Sequence, residues 1–107
     1  LKEDFSVFDL LMKVHPTPAI GGDPWKVAKD FILEIEPHDR GLYSGNIGWF
    51  NFNGNGEFAV GIRTALITRN HLYAYAGCGI VEGSEAEAEF DESEIKLKPI
   101  LSLFSEE

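Results

Sequence analysis

The chain has 107 residues, of which 44% are hydrophobic and 25% are charged, and its net charge is −9. This composition is typical of one small globular domain. The negative charge argues against nucleic-acid binding, because proteins that bind phosphates along a strand are usually basic. No apolar run approaches the ~20 residues that a membrane-spanning helix needs. The single cysteine, Cys78, excludes an internal disulfide and favours a reducing compartment, so we expect a cytoplasmic protein.

The first third of the chain predicts two helices separated by a stiff loop. Apolar residues recur at helical spacing over residues 4–14. The loop HPTPAIGGDPW, residues 15–25, holds three prolines and two glycines, which predicts neither a helix nor a central strand. Asp23 is the predicted N-cap of the second helix, Pro24 its first residue, and Pro37 its stop.

Three antiparallel strands are predicted next. They are residues 42–52, 57–68 and 72–76, separated by turns at Asn53-Gly54-Asn55-Gly56 and Arg69-Asn70. Alternation along the middle strand directs Ile62 to one face and Arg63 to the other. Because a hairpin flanks this strand on each side, we expect it to be the central strand of a meander.

A last helix is predicted from about Glu85, with Ser84 and Glu87 as a capping box and Pro99 kinking or splitting its end. Its predicted buried stripe consists of Phe90, Leu97, Ile100, Leu101 and Phe104. The order of elements is therefore α-α-β-β-β-α. This order predicts an α+β fold in which helices cover an antiparallel β meander.

Three carboxylate and amine groups share one face of the last helix. Glu89, Glu92 and Lys96 are spaced by three and four residues. Carboxylate oxygens are suitable ligands for a hard divalent cation such as Mg²⁺. A solvated face with a Glu92–Lys96 ion pair is the alternative, and the spacing alone leaves both open.

Two further features are compatible with anion binding. The small neighbours of Arg63 in sequence leave room for its guanidinium to bind a carboxylate at two points. The alternative is an arginine that faces water. The paired glycines of AGCGIV, residues 76–81, could present backbone N–H groups to an anion or form a bulge that ends a strand. His15 and Cys78 are interpreted as structural residues, since Cys78 has no identified activating partner.

Five segments together resemble a known family. In order they are HPTPAIGG, EPHDRGLYSGNIGW, NGEFAVGIRTAL, AGCGIV and EAEFDESEIK. This series, which extends over nearly all of the chain, resembles the C-terminal part of the chorismate-utilising enzymes. HPTPA followed by glycine is similar to the isochorismate synthases rather than to the amine-adding members, and NGEFAVGIRTAL is more similar to the menaquinone-pathway type than to the siderophore type.

The resemblance implies a fold and an activity. The chain would be the C-terminal part of a larger αββα sandwich domain that binds chorismate, with the N-terminal part absent. The reaction would be the Mg²⁺-dependent conversion of chorismate to isochorismate, in which water adds at C2 and the hydroxyl leaves C4. The general base, a lysine, and the general acid, a glutamate, would lie upstream, so this segment would contribute no catalytic acid or base.

The resemblance also implies roles for individual residues. The implied substrate contacts are Tyr43, Arg63, Gly77, Gly79, Lys96, Ala19 and Ile20. Ala19 and Ile20 would lie near the substrate ring, and Arg63 would contact a carboxylate. Glu92 would bind Mg²⁺ directly, Glu89 would be a second acidic group at the metal, and Lys96 would contact a carboxylate or the metal shell.

Three rival interpretations remain open at the level of sequence. They are a salicylate synthase, a siderophore-pathway isochorismate synthase, and a non-catalytic acidic binding module. Under the favoured interpretation the substrate is chorismate, and the isolated segment is expected to be inactive and to associate with itself.

Overall fold

The computed structural model describes residues 6–104, which form two compact units divided between Gly61 and Ile62. Its elements in chain order are α1 (Val7–Val14), α2 (Pro18–Gly21), α3 (Trp25–Ile35), β1 (Asn46–Phe50), β2 (Gly56–Val60), β3 (Thr64–Ile67), β4 (Leu72–Tyr75) and α4 (Ala86–Leu101). Over residues 6–104, every helix is too short or too polar to span a bilayer.

Helix α1 begins with a reciprocal cap. The Ser6 backbone N–H donates to Asp9 Oδ2 at 3.0 Å, and the Asp9 backbone N–H donates to Ser6 Oγ at 3.3 Å. These bonds satisfy two donors that a helix start leaves unpaired. The bond from the Ser6 N–H also lowers the pKa of the Asp9 carboxyl. The predicted helix was longer at its start, and its residues 4 and 5 lie outside the described residues.

The proline-rich loop contains a short helix that the sequence analysis did not predict. Helix α2 is a single turn, with Pro18 at its first position and the Gly21 N–H donating to Thr17 O at 2.9 Å. Proline is tolerated there because its missing N–H would have no helical partner. The prediction that residues 15–25 exclude a helix is therefore wrong over α2.

Helix α3 begins one residue later than predicted, because Pro24 rather than Asp23 is its N-cap. Its first residue packs tightly on the loop. A Cβ added at Gly21 would lie 2.7 Å from the Trp25 ring, so only glycine allows this approach. The helix ends at Ile35, before Pro37, as predicted.

The first hairpin joins β1 and β2 in antiparallel register, with Gly48 opposite Phe58. Its turn contains the predicted asparagine–glycine repeat. Asn51 Oδ1 accepts the backbone N–H groups of Asn53 and Asn55 at 3.0 and 3.1 Å. In the same unit, the Phe8 ring of α1 meets the Phe50 ring edge-on, with centroids 4.9 Å apart.

The second hairpin joins β3 and β4, with Thr64 opposite Tyr75. The turn lies where it was predicted, and the Thr68 N–H donates to His71 O at 2.8 Å. In this unit α4 lies against β4.

The single middle strand predicted over residues 57–68 is two strands. β2 pairs with β1 and β3 pairs with β4, which gives two two-stranded sheets instead of one three-stranded meander. Arg63 has a φ of +47°, in the left-handed region, and this conformation interrupts the extended backbone between the two strands. The expected alternation of Ile62 and Arg63 across one strand is therefore wrong. The α+β class and the antiparallel pairing are confirmed.

Helix α4 lacks the predicted capping box. Ser84 Oγ accepts the Val81 N–H at 2.9 Å, and Glu85 is the N-cap without a side-chain bond. The helix runs through Pro99 and ends two residues later, at Leu101.

Apolar side chains on both units face solvent, and no hydrophobic side chain within residues 6–104 is fully buried. The predicted stripe of α4 is partly exposed, with Phe90 62% and Phe104 54% accessible. On the first hairpin, Ile47 is 70% accessible.

Candidate functional site

Three side chains that carry potential metal-ligand atoms converge in the second unit. The Cys78 thiol and the carboxylates of Glu89 and Glu92 each offer one ligand atom, and these atoms lie within 4.8 Å of one another. Glu89 and Glu92 share a face of α4 because they are three residues apart. Cys78 lies in the irregular segment after β4, so the cluster joins that segment to the helix.

Lys96 connects the same two elements. Its Nζ donates to Glu92 Oε1 at 2.8 Å and to the Gly77 carbonyl oxygen at 3.1 Å. The bond to the Glu92 carboxylate is the main cause that raises the pKa of Lys96, while the positive charge of Arg63 acts to lower it. Arg63 is therefore close enough to add positive charge to this cluster.

Cys78 is held as a neutral thiol. Its Sγ donates to the Glu89 backbone oxygen at 3.1 Å. Desolvation, followed by the negative charge of Glu92, raises the pKa of the thiol above its usual value. A thiol that stays protonated at neutral pH is a poor nucleophile and a poor metal ligand, which supports the interpretation of Cys78 as structural.

The donor chemistry of the cluster fits a hard divalent cation. Mg²⁺ is usually held by one or two carboxylates together with water and ligand oxygens, and Glu89 and Glu92 offer such a pair. Lys96 bonds only one oxygen of Glu92, Oε1, and leaves Oε2 for other partners. Two carboxylates this close repel each other unless positive charge compensates them.

The glycine segment beside the cluster is open on one side. A Cβ added at Gly79 would meet nothing within 4 Å, so the backbone there is accessible to a ligand. The strand ends before this segment, at Tyr75, and neither Ile80 nor Val81 continues it. The Gly77 carbonyl is occupied by Lys96, which brings a positive charge to the edge of the segment.

Arg63 is exposed in the short connection between β2 and β3. A left-handed conformation costs a non-glycine residue roughly 1–2 kcal/mol. Such conformations concentrate at binding and catalytic sites, where the surrounding structure maintains them. The unusual backbone of Arg63 is therefore compatible with the binding role that the resemblance implies.

The first unit contains a cavity of about 250 Å³. Its lining residues are His15, Pro16, Ile20, Gly21, Trp25, Arg40, Gly41, Tyr43, Ser44 and Gly45. Two of the residues with implied substrate contacts, Ile20 and Tyr43, thus line one cavity, together with His15. Ala19 is exposed on α2 and does not line it.

Arg40 is a residue of this cavity that the sequence analysis did not single out. Its Nε and Nη2 donate to the two carboxylate oxygens of Glu36 at 2.9 and 2.7 Å. The bonds from Arg40 are the main cause that lowers the pKa of the Glu36 carboxyl. The four-residue spacing of Glu36 and Arg40 is typical of an ion pair on a helix. Pro37 predicts that the helix stops between them, so the spacing alone did not indicate this pair.

Comparison with known proteins identifies the family. Residues 1–105 match the sequence profile of the family described as "Chorismate binding enzyme". The chain belongs to the chorismate-binding enzyme family. The resemblance drawn from the five sequence segments is confirmed by this match.

Relatives of this chorismate-binding chain include named isochorismate synthases. Isochorismate synthase MenF of Bacillus subtilis (strain 168) is 54% identical over 102 residues, which cover 95% of this chain and 22% of that protein. The salicylate biosynthesis isochorismate synthase of Pseudomonas aeruginosa is 42% identical over 99 residues, covering 92% and 21%. The chain thus spans about a fifth of the length of these relatives.

A solved structure has the same fold. A crystal structure described as a 2,3-dihydroxybenzoate-specific isochorismate synthase, DhbC, from Bacillus anthracis matches with a TM-score of 0.88 and 40% identity. The match covers 92% of the chorismate-binding chain and 26% of the other. The α+β elements described above therefore also occur in that solved structure over the matched region.

Proposed function

We propose that this chain is the C-terminal part of an isochorismate synthase. The observation that carries the proposal is the cluster at α4, where Glu89 and Glu92 lie close enough to bind one divalent cation and Lys96 bonds the Gly77 carbonyl. The family match and the isochorismate synthases among the relatives support it. Because the chain spans about a fifth of those relatives, the activity belongs to a longer polypeptide.

The proposed cofactor is Mg²⁺. Glu92 would bind it directly, and Glu89 would be the second acidic group at the metal. When bound, Mg²⁺ supplies the positive charge that lets an acidic site accept a substrate with two carboxylates. Lys96 and Arg63 add fixed positive charge beside these glutamates.

The proposed substrate contacts fall into two groups. In the second unit, Arg63, Lys96 and the backbone at Gly77 and Gly79 would hold a carboxylate. An arginine fork and free backbone N–H groups are suitable donors for that group. In the first unit, Tyr43, Ala19 and Ile20 would contact the ring. The cavity that Tyr43 and Ile20 share supports this assignment for those two residues.

The proposed reaction adds a hydroxyl group from water at C2 and removes the hydroxyl group at C4. A water oxygen forms a bond to C2 and gives one proton to a base, the ring double bonds shift, and the C4 hydroxyl takes a proton from an acid and leaves as water. Atoms therefore balance without an oxidant or a reductant. A lysine base and a glutamate acid are expected upstream of this chain, so its own residues bind and orient the substrate.

We further propose a role in menaquinone biosynthesis and a cytoplasmic location. The motif NGEFAVGIRTAL and the 54% identity to the MenF relative support the pathway. The single cysteine supports a reducing compartment.

Product identification tests the proposed function. The longer protein that contains this chain is incubated with chorismate and Mg²⁺, and the products are separated and assigned by proton NMR, with a coupled assay for pyruvate. The expected result is isochorismate without pyruvate. Salicylate together with pyruvate would instead identify a salicylate synthase, and unconsumed chorismate would identify a non-catalytic binding module.

A further inference from the structure

Arg40 connects two segments that are distant in sequence and line the same cavity. Its Nη1 donates to the Ile20 carbonyl oxygen at 3.0 Å and to Ser44 Oγ at 3.2 Å. Its guanidinium also lies over the Tyr43 ring, 5.6 Å from the ring centroid. One side chain thus contacts helix α2 and the turn before β1.

The guanidinium has little capacity left for an external anion. A guanidinium has five N–H donors, and four hydrogen bonds from Arg40 are directed to partners inside the first unit. Two of the four form a fork with Glu36, whose carboxylate neutralises the charge. Arg40 is therefore unsuited to gripping a substrate carboxylate, although it lines the cavity.

We propose that Arg40 is a positioning residue that holds Ile20 and Tyr43 in the lining of the cavity. It fixes Ile20 through the backbone oxygen and Tyr43 through the ring face. This inference rests on the proposed function, in which Ile20 and Tyr43 contact the substrate ring. The half-buried Glu36 keeps the guanidinium in place by accepting from both donors of one edge, Nε and Nη2.

The chemistry of this role requires a planar fork. A lysine ammonium carries the same charge, but it cannot bond Glu36 at two points, reach Ile20 and Ser44, and lie over an aromatic face at once. Arg40→Lys is therefore expected to lose almost as much kcat/KM for chorismate as Arg40→Ala. A role that depended on charge alone would be preserved by lysine.

The experiment measures chorismate consumption by the longer protein that contains this chain. The variants are Arg40→Ala and Arg40→Lys, and the matched control is Arg69→Ala, an exposed arginine in the β3–β4 turn. Both Arg40 variants are expected to lose up to about 100-fold in kcat/KM, the size of effect that a small misplacement of binding groups produces. Arg69→Ala is expected to keep wild-type constants, and the Mg²⁺ concentration at half-maximal rate should not change in any variant.

Chemical rescue separates positioning from general stability. Guanidinium ions, at concentrations far below those that unfold the protein, should restore part of the activity of Arg40→Ala, because they can enter the cavity and reform the bonds to Glu36 and Ile20. Urea, which has a similar shape and no charge, should not restore it. A merely structural role would give a lower unfolding temperature and no selective rescue.

The outcomes are distinguishable. A folded Arg40→Ala variant with wild-type kcat/KM, or a loss that guanidinium does not restore, overturns the inference. If Arg40→Ala does not fold, the Arg40→Lys variant is the test. A wild-type kcat/KM of Arg40→Lys overturns the inference, and a large loss of kcat/KM in folded Arg40→Lys supports it. A wild-type protein that consumes no chorismate instead contradicts the proposed function itself.

Discussion

At the scale of single residues, the two carboxylate oxygens of Glu92 can have different partners. Lys96 holds one of its oxygens in this structure, and a cation would need the other. The two carboxylates on this face of α4 repel each other, so a positive partner stabilises them. A cation and Lys96 together compensate this repulsion better than Lys96 alone.

The Glu92→Gln variant of the longer protein tests this assignment. The substitution keeps the size of the side chain and removes its charge, so most of the Mg²⁺-dependent turnover of chorismate should be lost while the fold is kept. Turnover is measured against Mg²⁺ concentration, and circular dichroism checks folding. Glu94→Gln is the control, since Glu94 is exposed on α4 and lies outside the cluster. Wild-type turnover and Mg²⁺ dependence in a folded Glu92→Gln protein would show that Glu92 is a surface residue and does not bind the metal.

Gly79 provides a second test at this scale. A methyl group there meets open space, and the backbone of Gly79 does not adopt a left-handed conformation, so Gly79→Ala should leave the unfolding temperature unchanged. If a substrate carboxylate approaches the Gly79 backbone, the same methyl group should lower kcat/KM for chorismate. The two measurements are made on one purified variant. Equal activity in wild type and variant would show that no ligand approaches Gly79.

At the scale of elements, the sequence predicted the features that depend on local chemistry. The turn at Asn53-Gly54 and the end of α3 before Pro37 were predicted correctly, because turn and helix-stop signals act within a few residues. The division of the middle strand was missed. The residues around Arg63 alternate like a strand, and nothing in that pattern indicates a positive φ at a bulky residue.

Capping shows the same limit at helix α4. Ser84 and Glu87 have the spacing of a capping box, but Ser84 Oγ accepts the Val81 N–H instead. The serine thus closes a turn before the helix. Two local motifs competed for one hydroxyl, and spacing alone could not decide between them.

The ion pair that ends the α3 segment gives a pH dependence. The folded-state pKa of Glu36 is lowered by Arg40, so the pair stabilises the fold at pH values above the unfolded pKa of about 4.3. This stabilisation is lost as the pH falls through the folded pKa. Because both side chains are partly exposed, the contribution is at most about 1 kcal/mol.

Thermal unfolding of wild type and Glu36→Gln checks this dependence. The variant should unfold at a lower temperature at pH 7, and the difference should shrink toward zero as the pH falls well below about 4. Glu34→Gln, an exposed neighbour on α3, is the control and should show no such trend. A difference that is constant with pH would show that the charge of Glu36 does not stabilise the fold.

At the scale of the whole molecule, the family could be identified from sequence because five segments, distributed along most of the chain, resemble motifs of the family in the same order. The candidate site could be predicted only in part. Glu89, Glu92 and Lys96 share a helix, so their proximity follows from spacing. The contact of Arg40 with the Ile20 carbonyl joins two segments that are distant in sequence, and only the folded chain brings them together.

The exposed apolar faces predict the behaviour of the 107-residue chain alone. Without side chains to cover α4 and the first hairpin, the isolated chain should associate with itself, since exposed apolar patches of this kind drive association. It should also be inactive, because the expected base and acid lie upstream and each typically contributes ~10²–10⁴-fold in rate. Sedimentation velocity and a chorismate assay with Mg²⁺ measure the two properties. A monomeric chain, or detectable turnover, would contradict the corresponding expectation.

In the proposed reaction, the longer protein adds water to chorismate at C2 and expels the C4 hydroxyl. The most direct measurement is the reaction in water enriched in heavy oxygen, with mass spectrometry and carbon NMR of the product. We expect isochorismate that carries one heavy oxygen atom, bound at C2. Isochorismate without the label would contradict water addition, and a product other than isochorismate would contradict the proposed function.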